Sequence, residues 1–163
     1  MGQYFLIANL DRKEYLNPDG FGEGPKLMEF GAGAGGTMAG LAILLAVNDG
    51  HRFPLDGGTP HPIIGRWGSQ RIAVIDDYLE PEDAPHIEVL NEQGNHYYNI
   101  LEQGGGWVDI SEHVIATLEI TYRHSSIRAR RARGELMITH RSMLHADGTI
   151  TAVTVPETKD RPE

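Results

Sequence analysis

The stretch Leu27-Met28-Glu29-Phe30-Gly31-Ala32-Gly33-Ala34-Gly35-Gly36-Thr37 decides how the chain is read. Gly31, Gly33 and Gly36 satisfy G-x-G-x-x-G between a brief apolar element, Lys26–Phe30, read as strand-like, and an apolar helix. In that context glycines let backbone approach a ligand, and the N–H groups opening the helix meet an anion. The same glycines also serve close packing where a buried helix begins. The following helix is expected over Thr37 to Val47, with Thr37 as N-cap and Asn48-Asp49-Gly50 as its stop. It has no polar face, which predicts burial at the centre of the core.

Working outward, a dinucleotide fold needs a strand ending in an acid about 20 residues beyond the glycines. Asp56 stands there, but His51-Arg52-Phe53-Pro54-Leu55 is a poor central strand because proline cannot donate to a ladder. One arrangement rescues a ligand site. If Arg71 to Ile75 runs parallel beside Leu27 to Phe30, Asp76 and Asp77 lie near the glycines at the carboxyl end of the sheet. The candidate cofactor set is then Gly31, Gly33, Gly35, Gly36, Thr37, Asp76 and Asp77. The run Met28 to Gly36 resembles the first motif of S-adenosylmethionine-dependent methyltransferases over about ten residues, which implies a nucleoside ligand. No cofactor is required by this reading, and packing is the preferred role for the glycines.

Elsewhere Tyr4–Ala8 reads as a strand, Glu14–Leu16 as its returning partner, and Arg71–Ile75 as an interior strand. Residues 48–70 hold many glycines and prolines without period, a long surface loop. Residues 80–106 are mixed, with Tyr97–Leu101 either a strand or one helical turn. Asp109-Ile110-Ser111-Glu112 fits a capping box with Asp109 at N-cap, followed by the helical face Val114, Ile115 and Leu118. Leu136–Leu144 and Thr149–Val155 flank Asp147-Gly148, the pair a type I′ hairpin turn prefers. That turn puts Leu136, Ile138, His140, Ser142 and Leu144 on one face with Thr151, Val153 and Val155. The expected fold is α+β: a mixed or antiparallel sheet with N- and C-terminal hairpins, packed on the central helix, in one domain over 1–156 with a flexible tail at 157–163.

The chain has 163 residues, 40% of them hydrophobic, and a net charge of −9, which argues against general duplex-DNA binding. Absence of cysteine excludes disulfides, thiolate metal sites and thiol nucleophiles. No signal peptide is read at Met1–Leu6, and the apolar run Met38–Val47 is about half of the ~20 residues a membrane span needs, so a cytoplasmic protein with no membrane contact is expected. No G-x-S-x-G and no P-loop occurs. The histidines match no zinc spacing, so no metal site is assigned; His140 is expected in the core, and His86, His96, His113 and His124 at or near the surface. The preferred reading of Asp76 and Asp77 themselves is solvated strand-end acids, since adjacent strand residues point to opposite faces.

One segment contrasts with the acidic body. Arg123, Arg128, Arg130, Arg131 and Arg133 fall within eleven residues that hold no acid. On a helix Arg128 and Arg131 share a face, as do Arg130 and Arg133. Besides a solvated charged face, this stripe suits a protein partner, self-association, or a phosphate or RNA contact.

The first half, through Met1-Gly2-Gln3-Tyr4, Asn9–Tyr15, Lys26–Gly31, Gly36-Thr37-Met38, Gly65-Arg66-Trp67 and Arg71-Ile72, resembles a family of uncharacterised bacterial and phage proteins. The resemblance spans roughly residues 1–78 and implies an accessory role with no stated activity. The leading expectation is a non-catalytic binding or regulatory module acting near the 48–70 loop or the arginine segment. The competing one is a nucleotide- or S-adenosylmethionine-binding enzyme built on Gly31–Gly36.

Overall fold

The computed structural model describes residues 2–53, 58–83 and 96–153, and its architecture is α+β. Strand β1 (Phe5–Asn9) turns back into β2 (Glu14–Leu16), and β3 (Ile72–Asp76) and β4 (Val108–Asp109) flank them in the order β3-β1-β2-β4. β1 is antiparallel to both β2 and β3, whereas β2 runs parallel to β4. The β1–β2 turn is built by Asn9, whose Oδ1 accepts the Asp11 and Arg12 amides at 3.0 and 2.9 Å while its Nδ2 donates to Gln70 at 2.7 Å.

Both faces of this sheet are covered, which is why Phe5-Leu6-Ile7-Ala8 is apolar without alternation. Ile7 and Leu16 face one cluster with Phe21, Phe30, Leu44, Trp67, Val114 and Leu118. Leu6, Ala8, Tyr15 and Ile75 face a second with Tyr97, Ile100 and Trp107. The first cluster is closed by helices α1 (Leu27–Gly31), α2 (Thr37–Leu45), α4 (Ser111–Ile120) and α5 (Ser125–Ala132), and the second by α3 (His96–Leu101). Tyr97–Leu101 is therefore helical, and His96 at its start is buried rather than superficial. No helix among the described residues is long and apolar enough to cross a membrane.

Several expectations are corrected. Lys26–Phe30 is not strand-like: Leu27–Gly31 is one helical turn whose Glu29 Oε2 accepts the Lys26 amide at 3.2 Å. With helix formers at Leu27, Met28 and Glu29, and Phe30 its one buried residue, local propensity and a single anchor suffice. Consequently β3 has no parallel neighbour there; it pairs antiparallel with β1. α2 is not buried all round, because Met38 and Leu45 stay 39% and 41% exposed. Its N-cap is Gly36, one residue earlier than Thr37.

The 48–70 segment is only half a surface loop. Ile63, Ile64 and Trp67 are buried, and the Gly65 and Trp67 amides donate to Ile43 O and Leu44 O at 2.8 and 2.9 Å. The segment thus satisfies carbonyls left over at the end of α2.

The C-terminal hairpin is real but shorter and shifted. β5 (Ser142–Leu144) pairs with β6 (Ile150–Ala152) as a separate two-stranded sheet, with Leu144 opposite Ile150. Gly148 N donates to His145 O at 2.9 Å, and Gly148 has φ 85°, so the loop has three residues rather than two. One added residue exchanges the faces: Ser142 and Leu144 now side with Ile150, not with Thr151 and Val153. That exchange takes Ile150 into the core, which a two-residue turn would have left outside. His140 is half-buried beside Thr139, not central. Val155 and the tail at 157–163 lie outside the described residues, as do Asp56 and His86.

Asp109 is not the N-cap of α4, a position held by Ile110. Its Oδ1 accepts the Ser111 amide at 2.9 Å from the end of β4, where the residue is 3% exposed. Burial, only partly opposed by the Ser111 hydrogen bonds, pushes its carboxyl up to about 6 from an ordinary 3.8. Between those values the folded chain retains a proton that the unfolded chain has lost, so stability falls as pH rises from about 4 to about 6. The full cost above that window is about 3 kcal/mol. Asp109→Asn keeps the acceptor and is expected to remove this fall. Urea unfolding of both proteins at pH 4.5 and 7 measures it, and an unchanged pH slope in the variant would refute the assignment.

Candidate functional site

A cavity of about 900 Å³ lies between the described residues of the 51–66 stretch (51–53 and 58–66) and the hairpin turn. Pro60, Pro62, Leu144 and Ala146 give it apolar walls. Arg12, Arg52 and Arg66 line it with His51, His61 and His145, against a single described acid, Asp147.

Each charged group is placed by local structure. Arg12 is presented by the Asn9 turn and donates through Nε to Gln70 at 3.1 Å. Arg52 follows a turn in which Asp49 Oδ1 accepts the His51 amide at 2.7 Å; its Nη1 donates to Val47 O at 2.5 Å, and its guanidinium lies 5.1 Å from the Phe53 ring centroid. Neither Arg12 nor Arg52 has a carboxylate partner among the described residues.

Arg66 is different. Its Nε donates to both Glu14 oxygens at 3.0 and 2.9 Å, its Nη2 to Glu14 Oε1 at 2.5 Å, and its Nη1 to Gly148 O at 2.6 Å and Pro62 O at 3.2 Å. Trp67 Nε1 adds a 2.8 Å bond to Glu14 Oε2. Arg66 is thus a clamp that joins the sheet, the 62–67 segment and the hairpin turn, and its charge is neutralised by Glu14.

His61 Nδ1 accepts the Ile63 and Ile64 amides at 3.1 and 3.3 Å, so a ring proton resides on Nε2. Burial holds its pKa below the usual histidine value, favouring that neutral ring. His145 Nε2 bonds Thr151 Oγ1 at 2.7 Å. No group of three metal-ligating side chains converges among the described residues.

The glycine stretch presents a different geometry. Glu23, 6% exposed, accepts the Thr37 amide at 2.9 Å and the Thr37 hydroxyl on Oε2, so this chain's own carboxylate meets the N-terminus of α2. Gly33 and Gly35 wrap it: a Cβ built at Gly35 would stand 2.1 Å from Glu23 Oε1. Gly36 packs on Ile127, and Gly31 lies exposed. Asp76 ends β3 opposite Phe5 and Asp77 follows it; Asp76 Oδ1 accepts the Tyr78 amide at 2.8 Å and Asp77 Oδ1 the Tyr4 amide at 2.9 Å. The loop and this acidic pair are not joined by the parallel strand that was to bring them together.

The arginine segment is helical, as α5, but it is not an open stripe. Arg130 donates to Gly22 O, Arg131 pairs with Glu119 at 2.5 Å, and Arg133 pairs with Glu135 at 2.6 Å. Arg128 alone of the four has no partner among the described residues. The sequence marks the 48–70 loop as a candidate surface but not Arg12, Arg52 and Arg66 as its charged groups. Nothing local in the sequence shows that the β1–β2 turn and the 145–149 turn meet this loop. No protein family, curated protein or solved structure matches the chain.

Proposed function

We propose that this protein is a non-catalytic binding module that holds an anionic ligand with an apolar body in the cavity between the 51–66 segment and the hairpin turn. The observation that carries the reading is local charge: the two guanidinium groups of Arg12 and Arg52, without carboxylate partners among the described residues, line the cavity against one described acid, in a chain whose net charge is −9. Arg12 and Arg52 supply the uncompensated cations, and the neutral His61 ring supplies a directed Nε2–H donor. The proline and leucine walls take the apolar part of the ligand. Arg66 positions the turn rather than contacting the ligand's charge. An accessory role in a bacterium or phage accords with the resemblance of the first half.

The test is thermal shift with phenyl phosphate, decanoate and inorganic phosphate, with phenol and decanol as neutral counterparts. A bound anion at 100 times its Kd adds about 2.7 kcal/mol, or roughly 5–10 °C for a chain this size. Arg12→Gln with Arg52→Gln is expected to weaken binding at least tenfold, since each charge-assisted bond carries about 1.5–3 kcal/mol. Equal shifts with the neutral counterparts, or none with any anion, would defeat the reading.

A further inference from the structure

Where α3 comes beside the 19–29 stretch, another cavity, of about 530 Å³, opens. It has a different chemistry, because Tyr4, Tyr97 and Tyr98 line it. Tyr97 and Tyr98 stand edge to face, with ring centroids 5.2 Å apart and planes at 85°, so they form two walls of a corner. Tyr4 precedes β1 and brings a third ring from another part of the chain. Tyr4 and Tyr98 keep 40% and 47% of their surface exposed, while Tyr97 is buried to 5% and anchors the corner in the core.

The charge at this corner is negative. Asp19 and Glu29 line the cavity with Lys26. Lys26 lies 3.7 Å from Glu29, whose other oxygen accepts the Lys26 amide, so that carboxylate is already balanced. Asp19 has no cation beside it, and its side chain accepts no hydrogen bond among the described residues. Burial and then the Glu29 charge hold its carboxyl above the usual range. Burial, followed by the charges of Asp19 and Asp77, pushes the Tyr97 phenol up to about 12. A cation entering the corner offsets the repulsion that Glu29 exerts on Asp19.

Aromatic faces attract cations through their quadrupole, most effectively when the cation is weakly hydrated. A primary ammonium loses three strong hydrogen bonds to water and finds one carboxylate in return. A quaternary ammonium has no such bonds to lose and gains the two exposed rings, Tyr4 and Tyr98, with Tyr97 buried behind Tyr98 to hold it in place. We propose that Tyr4, Tyr97, Tyr98 and Asp19 form a binding site for a quaternary ammonium head, a second site independent of the anion cavity. The head can belong to a small amine or to a methylated lysine of a partner protein, and its chemistry at the corner is the same.

The test is calorimetric and NMR titration of the full chain with tetramethylammonium, choline, the neutral choline isostere 3,3-dimethylbutan-1-ol, methylguanidinium and a trimethyllysine peptide. The cations are expected to saturate the site, with the isostere at least about tenfold weaker. Tyr98→Ala, at an exposed position, is expected to abolish binding while Tyr98→Phe retains it, and Asp19→Asn to weaken it about tenfold. Choline binding without peptide binding assigns a small amine, and a peptide preference over tetramethylammonium assigns a partner's side chain; each supports the site. Equal binding of the isostere, tighter binding of methylguanidinium, or no saturation by roughly 10 mM of any cation would overturn it. None of these three variants touches Arg12 or Arg52, so failure here leaves the anion cavity standing.

Discussion

Glu14→Ala is expected to destabilise the protein by about 3–5 kcal/mol, a large share of the roughly 5–15 kcal/mol that holds a domain folded. Glu14 and Arg66 are each nearly closed to solvent, with side chains 5% and 6% exposed. Removing the carboxylate strands a buried guanidinium and leaves the Trp67 indole N–H without its acceptor. The loss spreads, because the same guanidinium holds Gly148 O and Pro62 O. Hydrogen exchange at 145–149 is therefore expected to rise even where the variant remains folded. Glu14→Gln, which keeps an acceptor of the same shape, is expected to lose less than Glu14→Ala. Urea unfolding decides the matter, and a loss below about 1 kcal/mol for Glu14→Ala would mean the pair is not the clamp described.

Gly36→Ala is the second large effect, expected at about 3 kcal/mol. Gly36 has φ 128°, a conformation side chains rarely adopt, and an added Cβ would stand 2.5 Å from Ile127 Cδ1. Gly148 provides the contrast: it has φ 85° but open space around it, so alanine there meets only backbone strain. The steric part is separable, since Ile127→Val deletes the offending methyl. Gly36→Ala combined with Ile127→Val is expected to lose at least about 1 kcal/mol less than the two changes summed. Strict additivity would show that α5 does not press on the glycine.

The sheet was legible in the sequence where a segment carries its own signal. Tyr4–Ala8, Glu14–Leu16 and Arg71–Ile75 are apolar runs bounded by polar turns, and they became β1, β2 and β3 within a residue. Misreadings arose where a distant group decides a local outcome. Nothing near Gly31–Gly36 announces that Glu23 will cap the helix after it. The hairpin turn was misjudged by one residue because Asp147-Gly148 suits both a two-residue turn and the last two positions of a three-residue one; burial of Ile150 selects the latter. The arginine segment read as a free stripe because its partners, Gly22 O, Glu119 and Glu135, lie outside it. The cavity at the hairpin turn is half visible for the same reason, as turns far apart in the chain assemble it.

The strand order carries a cost during synthesis. β1 and β2 leave the ribosome first and lie in the middle of the sheet, whereas β3 waits for residues 72–76 and β4 for 108–109. At roughly 5–20 residues per second, the nascent hairpin stays uncovered for on the order of 5–20 s. Throughout that interval Leu6 and Tyr15 lack α3 and Ile7 lacks α4, the helices that complete their two clusters. A holding chaperone would find exposed apolar surface there, and chains released before α4 is made are expected to aggregate.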